Sequence, residues 1–122
     1  MENEFITEKI IGCAIEVHKT LGSGLLESIY EEALCYEFQL QNINFERQKE
    51  VDVIYKNKVI KGQRLDLLVE GKVIVELKSL QKVPEYAMAQ VLSYLKATGL
   101  RKALLINFGE KRLIDGVKRV VL

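Results

Sequence analysis

Two ionisable residues lie inside an apolar stretch near the middle of the chain. The segment VIVELKSL, residues 73–80, has the Val, Ile and Leu content of a buried strand, yet it contains Glu76 and Lys78. Burying a carboxylate or an ammonium group costs several kcal/mol per ion unless the group finds a partner. Both charges are therefore expected to meet partners, or a ligand, where the strand is buried.

A second acid, Asp66, is placed beside this pair by the expected strand register. If the preceding strand turns back through the three residues Glu70-Gly71-Lys72, Asp66 lies opposite Glu76, and Lys78 shares their face because side chains alternate. A turn one residue shorter would send Asp66 to the opposite face. The three-residue turn is favoured because it makes the other face apolar throughout, with Leu65, Leu67, Val69, Val73, Val75 and Leu77.

Paired carboxylates of this kind are typical of divalent-metal sites. Two neighbouring carboxylates repel each other, and a divalent cation removes the conflict; Mg²⁺ favours one or two carboxylates with water and substrate phosphate. A lysine beside the metal can hold an attacking water or stabilise charge on a phosphoryl oxygen. The alternative is a cross-strand ion pair of Lys78 with Asp66 or Glu76, which contributes little when exposed. The strand pair alone leaves both interpretations open.

The periodicity of the chain predicts the elements that position these residues. Apolar residues at helical spacing give way to a period of two from Phe45 onwards. The predicted elements are a helix at about 4–21, a helix capped by Ser23 and ending near Gln41, strands at about 45–55, 59–69 and 73–80, a helix from Pro84 to Gly99, a strand at 102–108, and one or two strands after Arg112. This order, ααβββαββ, predicts an α/β domain with a mixed sheet flanked by helices, or a compact α+β one.

Length and composition fit one globular domain spanning residues 1–122. The chain is 48% hydrophobic and 29% charged, and no apolar run approaches the ~20 residues that span a bilayer, so no membrane association is expected. Cys13 and Cys35 share no metal-ligand spacing with His18, and two buried thiols in a reducing cytoplasm are expected.

The net charge of +1 conceals an uneven distribution. Residues 1–40 hold eight acids and two bases, a balance of −6, which leaves +7 for the rest of the chain. Such a basic half could follow a phosphate backbone, or could simply be a solvated surface. The bases form two clusters, Lys56, Lys58, Lys61 and Arg64, and Lys111, Arg112, Lys118 and Arg119.

Three segments carry a resemblance to a known group of proteins. GLLESIY, residues 24–30, resembles the signature of the GxxExxY family of small prokaryotic proteins. LDLLVEGKVIVELKSL, residues 65–80, resembles the Asp…Glu-x-Lys hairpin of the PD-(D/E)XK nuclease superfamily, into which that family is placed. QVLSY, residues 90–94, is similar to the QxxxY motif of the RecB-like branch. The resemblance implies a restriction-endonuclease-like core.

The resemblance also implies roles for individual residues. Asp66 and Glu76 correspond to acids that bind Mg²⁺ or Mn²⁺, with the backbone carbonyl of Leu77 as a further ligand. Lys78 corresponds to the lysine that positions the attacking water. Glu27 corresponds to an acid that reaches the same metal from an early helix, directly or through water; without the motif it would be read as a surface residue.

Two residues of the third helix complete the implied site. Gln90 and Tyr94 are spaced i and i+4, share one helical face, and correspond to residues beside the substrate backbone. An ordinary helix-edge pair is the alternative. The implied reaction is hydrolysis of a phosphodiester bond, with DNA expected as substrate ahead of RNA.

Two other functions remain open at this point. One is a nuclease-fold subunit that binds nucleic acid or a protein partner without cutting, because the chain contains no separate DNA-binding module. A homodimer or a partner protein would then supply DNA binding. The other is a metal-free structural dimer with surface ion pairs, which explains the charged hairpin least well.

Overall fold

The computed structural model describes residues 2–122; Met1, the first residue of the predicted domain, lies outside the described residues. Three helices, five strands and a short 3₁₀ helix follow one another along the chain. They are α1 (Glu2–Leu21), α2 (Glu27–Leu40), β1 (Phe45–Tyr55), β2 (Lys58–Val69), β3 (Val73–Lys78), α3 (Tyr86–Thr98), β4 (Lys102–Asn107), the 3₁₀ helix (Leu113–Gly116) and β5 (Val117–Val121). The predicted order ααβββαββ is confirmed.

The strands form one mixed sheet in the order β1-β2-β3-β4-β5. Only β3 and β4 pair in parallel, and α3 makes the crossover between them; the other neighbours are antiparallel. β2 and β3 are joined by the predicted three-residue turn, and Val69 pairs with Val73. The predicted α/β architecture and the predicted register are both confirmed.

Helices cover the two faces of the sheet and close a hydrophobic core on each side. The core under α1 and α2 contains Val69, Val73, Val75 and Leu77 of the central hairpin. The core under α3 contains Ile74, Leu105 and Val120 of the sheet and Val91 and Leu95 of the helix. Cys13 and Cys35 are buried and free, as predicted. Over residues 2–122, no helix combines the length and apolarity needed to cross a membrane.

The side-chain alternation predicted for β2 is wrong at Leu65. Leu67 packs under α1 and α2, whereas Leu65, two residues earlier, packs in the core under α3. The cause lies in the ladders: β2 pairs with β3 only from Leu67 to Val69, and the β1–β2 pairing skips Asp66. Because this part of β2 has no β3 partner, its side chains need not keep the alternation of the central hairpin, and Leu65 turns towards α3.

The start of α2 also differs from the prediction. Ser23 does not cap the helix; Leu26 occupies the N-cap position without a side-chain hydrogen bond, and Glu27 is the first helical residue. The apolar side chains of Leu26 and Ile29 are exposed. The helix instead buries the face that carries Tyr30, Glu31, Leu34, Cys35 and Phe38.

The loop before α2 is tied down by Tyr30. Its hydroxyl donates a 2.5 Å hydrogen bond to the carbonyl of Gly22 and accepts one of 3.2 Å from the N–H of Leu25. Its fully buried ring stacks on Phe108, with 4.4 Å between ring centroids and 7° between planes. Gly24 has φ of 101°, a conformation that L side chains rarely adopt. Together these features fix where α2 begins.

The β1–β2 hairpin extends well beyond the rest of the sheet. β1 and β2 have 11 and 12 residues, whereas β3 has 6 and pairs only with the last part of β2. We call the extension, residues 52–62, the hairpin arm; its turn is at Lys56-Asn57, between Tyr55 and Lys58. The arm is solvent-exposed along its whole length.

We expect Tyr30→Phe to lower the free energy of unfolding by about 1–2 kcal/mol, because it removes a buried hydroxyl that serves both Gly22 and Leu25. The matched control is Tyr36→Phe on the same helix, where the side chain is 59% exposed; a change within about 0.5 kcal/mol is expected there. Urea unfolding of the three proteins measures the difference. Equal stability of the two variants would show that the Tyr30 hydroxyl does not hold the loop.

Candidate active site

The two acids of the central hairpin lie where β2 and β3 separate. The last paired residues before this point are Leu67 and Val75, and Asp66 and Glu76 are the next residues outward from the turn on their two strands. Oδ2 of Asp66 accepts a 2.8 Å hydrogen bond from the backbone N–H of Leu77. The Asp66 side chain thus replaces a ladder bond and stays beside Glu76, as the predicted register requires.

Glu76 is the most constrained of the site residues. Its side chain is almost fully buried, and Oε1 has no hydrogen-bond partner among the described residues. Burial, and then the charge of Asp66, raise the pKa of Glu76 to about 8. Lys78, whose Nζ lies 3.9 Å from Oε2, lowers this pKa in part. At that distance the ion pair is loose, and one carboxylate oxygen is left without compensation.

Asp66 is held from both neighbouring strands. Burial raises its pKa, while the hydrogen bond from Leu77 and a side-chain hydrogen bond from Gln48 lower it. Gln48 has φ of 50°, and this left-handed conformation falls where the β1–β2 ladder skips the residue opposite Asp66. The Gln48 amide also donates a 2.8 Å hydrogen bond to Glu31. It thereby bridges β1, β2 and α2.

Glu31 and Arg47 form a support that the sequence did not predict. Glu31 is buried on α2, and Oε2 accepts a 3.0 Å hydrogen bond from Nε of Arg47. Arg47 also donates to Glu32 at 3.2 Å. A buried carboxylate without these partners would be costly. Adjacent strand residues normally point to opposite faces, so the sequence gave no reason to expect Arg47 and Gln48 both to contact α2. The left-handed backbone of Gln48 turns both side chains towards that helix.

Glu27 reaches the same region from the first turn of α2. Burial raises its pKa, whereas Lys78 and a hydrogen bond from the backbone of Ser79 lower it. The Ser79 hydroxyl also donates a 2.6 Å hydrogen bond to the Leu25 carbonyl, which ties the end of β3 to the loop before α2. Glu27 itself is exposed to solvent, at the mouth of the cleft between α2 and β3.

The third helix brings Tyr94 next to the acids. Tyr94 is 3% exposed, and burial, followed by the charges of Glu76 and Asp66, raises its pKa to about 12. Gln90 lies one turn earlier, half-buried, and its side chain makes no hydrogen bond within residues 2–122. The structure therefore brings Asp66, Glu76, Lys78, Glu27 and Tyr94 within electrostatic range of one another, with Gln90 on the adjoining turn.

The end of β3 is fixed by a buried asparagine that the sequence did not single out. Asn107 accepts hydrogen bonds from the N–H groups of Leu80 and Gly109 and donates one of 2.8 Å to the Leu80 carbonyl. Lys78 is held from the same side, because its carbonyl accepts a 2.8 Å hydrogen bond from Phe108. A Cβ at Gly109 would overlap the backbone of Leu80, so only glycine allows this approach.

The carboxylate oxygens of Asp66 and Glu76 fit a hard divalent cation. Two carboxylates side by side, one with an unpartnered buried oxygen, are the kind of ligands that Mg²⁺ and Mn²⁺ take. No group of three or more His, Cys, Asp or Glu side chains in the described part of the chain is arranged to hold a metal ion. The metal-ligand roles predicted for Glu27, directly or through water, and for the Leu77 carbonyl stay predictions.

The raised pKa of Glu76 has a consequence for stability in the absence of metal. Between the ordinary pKa of 4.5 and about 8, the folded chain retains a proton at Glu76 that the unfolded chain has released. The free energy of unfolding should therefore fall as pH rises through this window, with a slope of up to about 1.4 kcal/mol per pH unit. Glu76→Gln, which cannot ionise, should remove this part of the dependence.

Urea unfolding of both proteins at several pH values from 4 to 9, with a chelator present, measures the effect. Glu16→Gln, at an exposed position of α1, is the matched control and should follow the wild-type profile. If the difference in stability between wild type and Glu76→Gln is constant over this range, Glu76 ionises normally.

Comparison with known proteins identifies the family. The model of the PD-(D/E)XK nuclease superfamily matches residues 4–120. The fold is similar to that in the crystal structure of SSO0001, with a TM-score of 0.57 and 19% identity over 77% of this chain, which spans about half (48%) of that one. No curated protein sequence gives a significant match. The chain belongs to the PD-(D/E)XK nuclease superfamily.

Proposed function

We propose that this chain is a metal-dependent nuclease that hydrolyses phosphodiester bonds of DNA. The observation that carries the proposal is the buried carboxylate of Glu76, which has an unpartnered oxygen and a raised pKa beside Asp66 and Lys78. A site that only had to stabilise the fold would gain by replacing such a group with an apolar side chain. Membership of the superfamily supports the same conclusion.

Asp66 and Glu76 would hold the cation, Mg²⁺ or Mn²⁺, with the Leu77 carbonyl as a further ligand. When bound, the metal supplies Lewis-acid polarisation of the phosphate and a more acidic water. The protein's part is to keep the two carboxylates together in a site where water is largely excluded. The Leu77 N–H and Gln48 hold Asp66 in place for this purpose.

Lys78 would hold the attacking water. Its ammonium group lies beside Glu76 and is mostly buried. Its charge also lowers the pKa of Glu27. A cation fixed there can orient a water and stabilise the negative charge that develops on the phosphoryl oxygens. Glu27, exposed at the mouth of the cleft, would act through a water molecule.

Gln90 and Tyr94 would bind the substrate backbone beside the metal. The Gln90 amide has no hydrogen-bond partner within residues 2–122 and can hydrogen-bond a phosphate oxygen. The Tyr94 hydroxyl remains protonated at physiological pH because its pKa is raised to about 12, so it can donate a hydrogen bond. These two residues support assignment to the RecB-like QxxxY branch, which we include in the proposal.

We further propose that the chain belongs to the GxxExxY family within the superfamily. The three signature positions have separate tasks in the loop before α2. Gly24 adopts φ of 101°, Glu27 faces Lys78, and Tyr30 fixes the loop through its hydroxyl and its stacking on Phe108. The signature residues thus hold the carboxylate of Glu27 at the entrance of the site.

A second function is favoured by one observation. The net charge is only +1, which is consistent with a nuclease-fold subunit that binds nucleic acid or a protein partner without cutting. In that case the cation or the partner would have a structural role.

Calorimetry with Mn²⁺ tests the metal site. We expect wild type to bind Mn²⁺ and Asp66→Ala or Glu76→Ala to lose binding by at least tenfold, because each removes one of the two adjacent carboxylates. Glu16→Ala, which removes an exposed acid of α1, should bind as wild type does. Failure of wild type to bind any divalent cation would contradict the metal-dependent mechanism.

Incubation of single- and double-stranded DNA with Mn²⁺ tests the reaction. Lys78→Ala should lower the cleavage rate about 100-fold or more, because it removes the cation that faces the developing charge. The matched control is Lys82→Ala, at an exposed lysine outside β3, which should cut at the wild-type rate. Equal degradation by wild type and Lys78→Ala would identify a contaminating nuclease, and binding without cleavage would favour the subunit function.

A further inference from the structure

The hairpin arm, together with Arg64 two residues beyond its end on β2, carries three cations that have no ion-pair partner in the described residues. Lys61 pairs with Asp52 at 2.8 Å, but Lys56, Lys58 and Arg64 have no carboxylate within ion-pair distance in residues 2–122. Lys56 lies over the Tyr55 ring, 5.4 Å from its centroid. The ammonium and guanidinium groups are therefore available to a ligand on an element that leaves the body of the protein.

The candidate active site has the opposite charge. Glu27, Glu31 and Asp66 face Lys78 and Arg47, so acidic side chains outnumber cations there before a metal binds, even while Glu76 keeps its proton. A polyanion brought to this site needs a cationic surface elsewhere along its length. β2 runs from Lys58 through Arg64 to Asp66, with a bulge at Lys61-Gly62 where the β1–β2 register shifts, so the basic arm and the site share one strand.

The second basic cluster is less available than the arm. Arg119 donates to Glu4 at 2.6 Å and to Glu8 at 2.8 Å, and thereby joins β5 to α1. Lys102 is likewise paired with Glu4. Arg112 lies 3.9 Å from Asp115. Arg119 and Lys102 thus neutralise acids of α1, whereas Lys111 and Lys118 form no ion pair within residues 2–122 and lie away from β2.

The two-stranded shape of the arm fits the major groove of a nucleic-acid duplex. The arm is a two-stranded antiparallel ribbon, and the major groove of B-DNA, about 12 Å wide, admits such a ribbon. Ile54 and Val59 form a cross-strand pair on one face, and Tyr55 stands beside Lys58 on the other; all four are exposed. Apolar side chains flanked by cations can contact base edges while the cations bind phosphates. The deep and narrow major groove of A-form RNA would not admit the ribbon.

We propose that the hairpin arm binds the major groove of duplex DNA and places Lys56, Lys58 and Arg64 on its phosphates; this rests on the proposed nuclease function for the position of the scissile bond. Lys58 precedes Asp66 by about eight residues of β2, or roughly 26 Å of extended strand. At ~3.4 Å per base pair, the arm contacts duplex as far as about eight base pairs from the bond that is cut. A second copy of the chain fits the arm less well, because two basic tips would repel each other.

The test measures DNA binding separately from cleavage. Fluorescence anisotropy of a labelled 24-base-pair duplex is followed over 50–200 mM KCl, with all proteins carrying Asp66→Asn so that no cutting occurs. We expect K56Q/K58Q/R64Q in this background to bind at least tenfold more weakly at 100 mM KCl. Because each phosphate contact contributes about 0.9 to the slope of log affinity against log salt, the slope should fall by up to about 2.7.

The matched control neutralises three cations outside the arm that form no ion pair within the described part of the chain. These are Lys82, Lys111 and Lys118, all exposed. K82Q/K111Q/K118Q makes the same change in net charge and should retain the wild-type slope. In addition, an 8-base-pair duplex should bind the parent and the arm variant more nearly equally than the 24-base-pair duplex does.

Several outcomes would overturn the proposal. They are equal weakening by the two triple variants, no effect of the arm variant, tighter binding of single-stranded than of duplex DNA, or a solution dimer that Ile54→Thr dissociates. Failure of wild type to cut DNA, with arm-dependent duplex binding intact, would instead reject the nuclease function alone. Cleavage by wild type without arm-dependent binding would reject the arm alone.

Discussion

The confinement of Glu76 next to Asp66 is the constraint around which the rest of the molecule is arranged. Two carboxylates in a poorly solvated cleft repel each other, and neither a lysine at 3.9 Å nor backbone hydrogen bonds fully offset that repulsion. Three elements are nevertheless required to keep the pair in place: β2 and β3 provide the register, and α3 covers it with Tyr94. Such an arrangement is stable only because both sides of the sheet are closed by apolar cores.

The support of the site comes from parts of the chain that are distant in sequence. Asn107 fixes the end of β3 from β4, and Ser79 ties that end to the loop before α2. Tyr30 holds the same loop through Gly22 and stacks on Phe108, the residue that follows β4. Hydrogen bonds and ring stacking therefore join the start of α2, where Glu27 lies, to β3, which carries Lys78, and to β4.

The features that the sequence predicted well are those set by periodicity and by turn length. Alternating apolar residues fixed both strands of the central hairpin, and a three-residue turn left one register in which Asp66 meets Glu76. Gly99 ends α3 in the left-handed conformation, as its position indicated. The superfamily was predicted from the resemblance of three segments to known motifs, and the match over residues 4–120 confirms it.

The features that escaped prediction depend on tertiary contacts. Leu65 changes faces because β2 loses its β3 partner before that point, which no local pattern records. Ser23 resembles a helix cap, but the contacts of Tyr30 delay the helix until Glu27. Gln48 reaches Asp66 only through a left-handed backbone that glutamine rarely adopts. Arg47, Glu31 and Asn107 have ordinary sequence surroundings, and their importance lies in the partners that folding brings to them.

Part of the geometry of the site is maintained by positions that contribute no functional group. A methyl group at Gly109 would push the chain after β4 away from Leu80, which follows β3, and a methyl group at Gly116 would push the 3₁₀ helix away from the carbonyl of Asn107 at the end of β4. Displacement there would be transmitted to the lysine of β3 through the bond between its carbonyl and Phe108. A substitution that inactivates the protein therefore need not alter a charged residue. Replacement of either glycine would change the geometry of the site, just as replacement of one of the acids would.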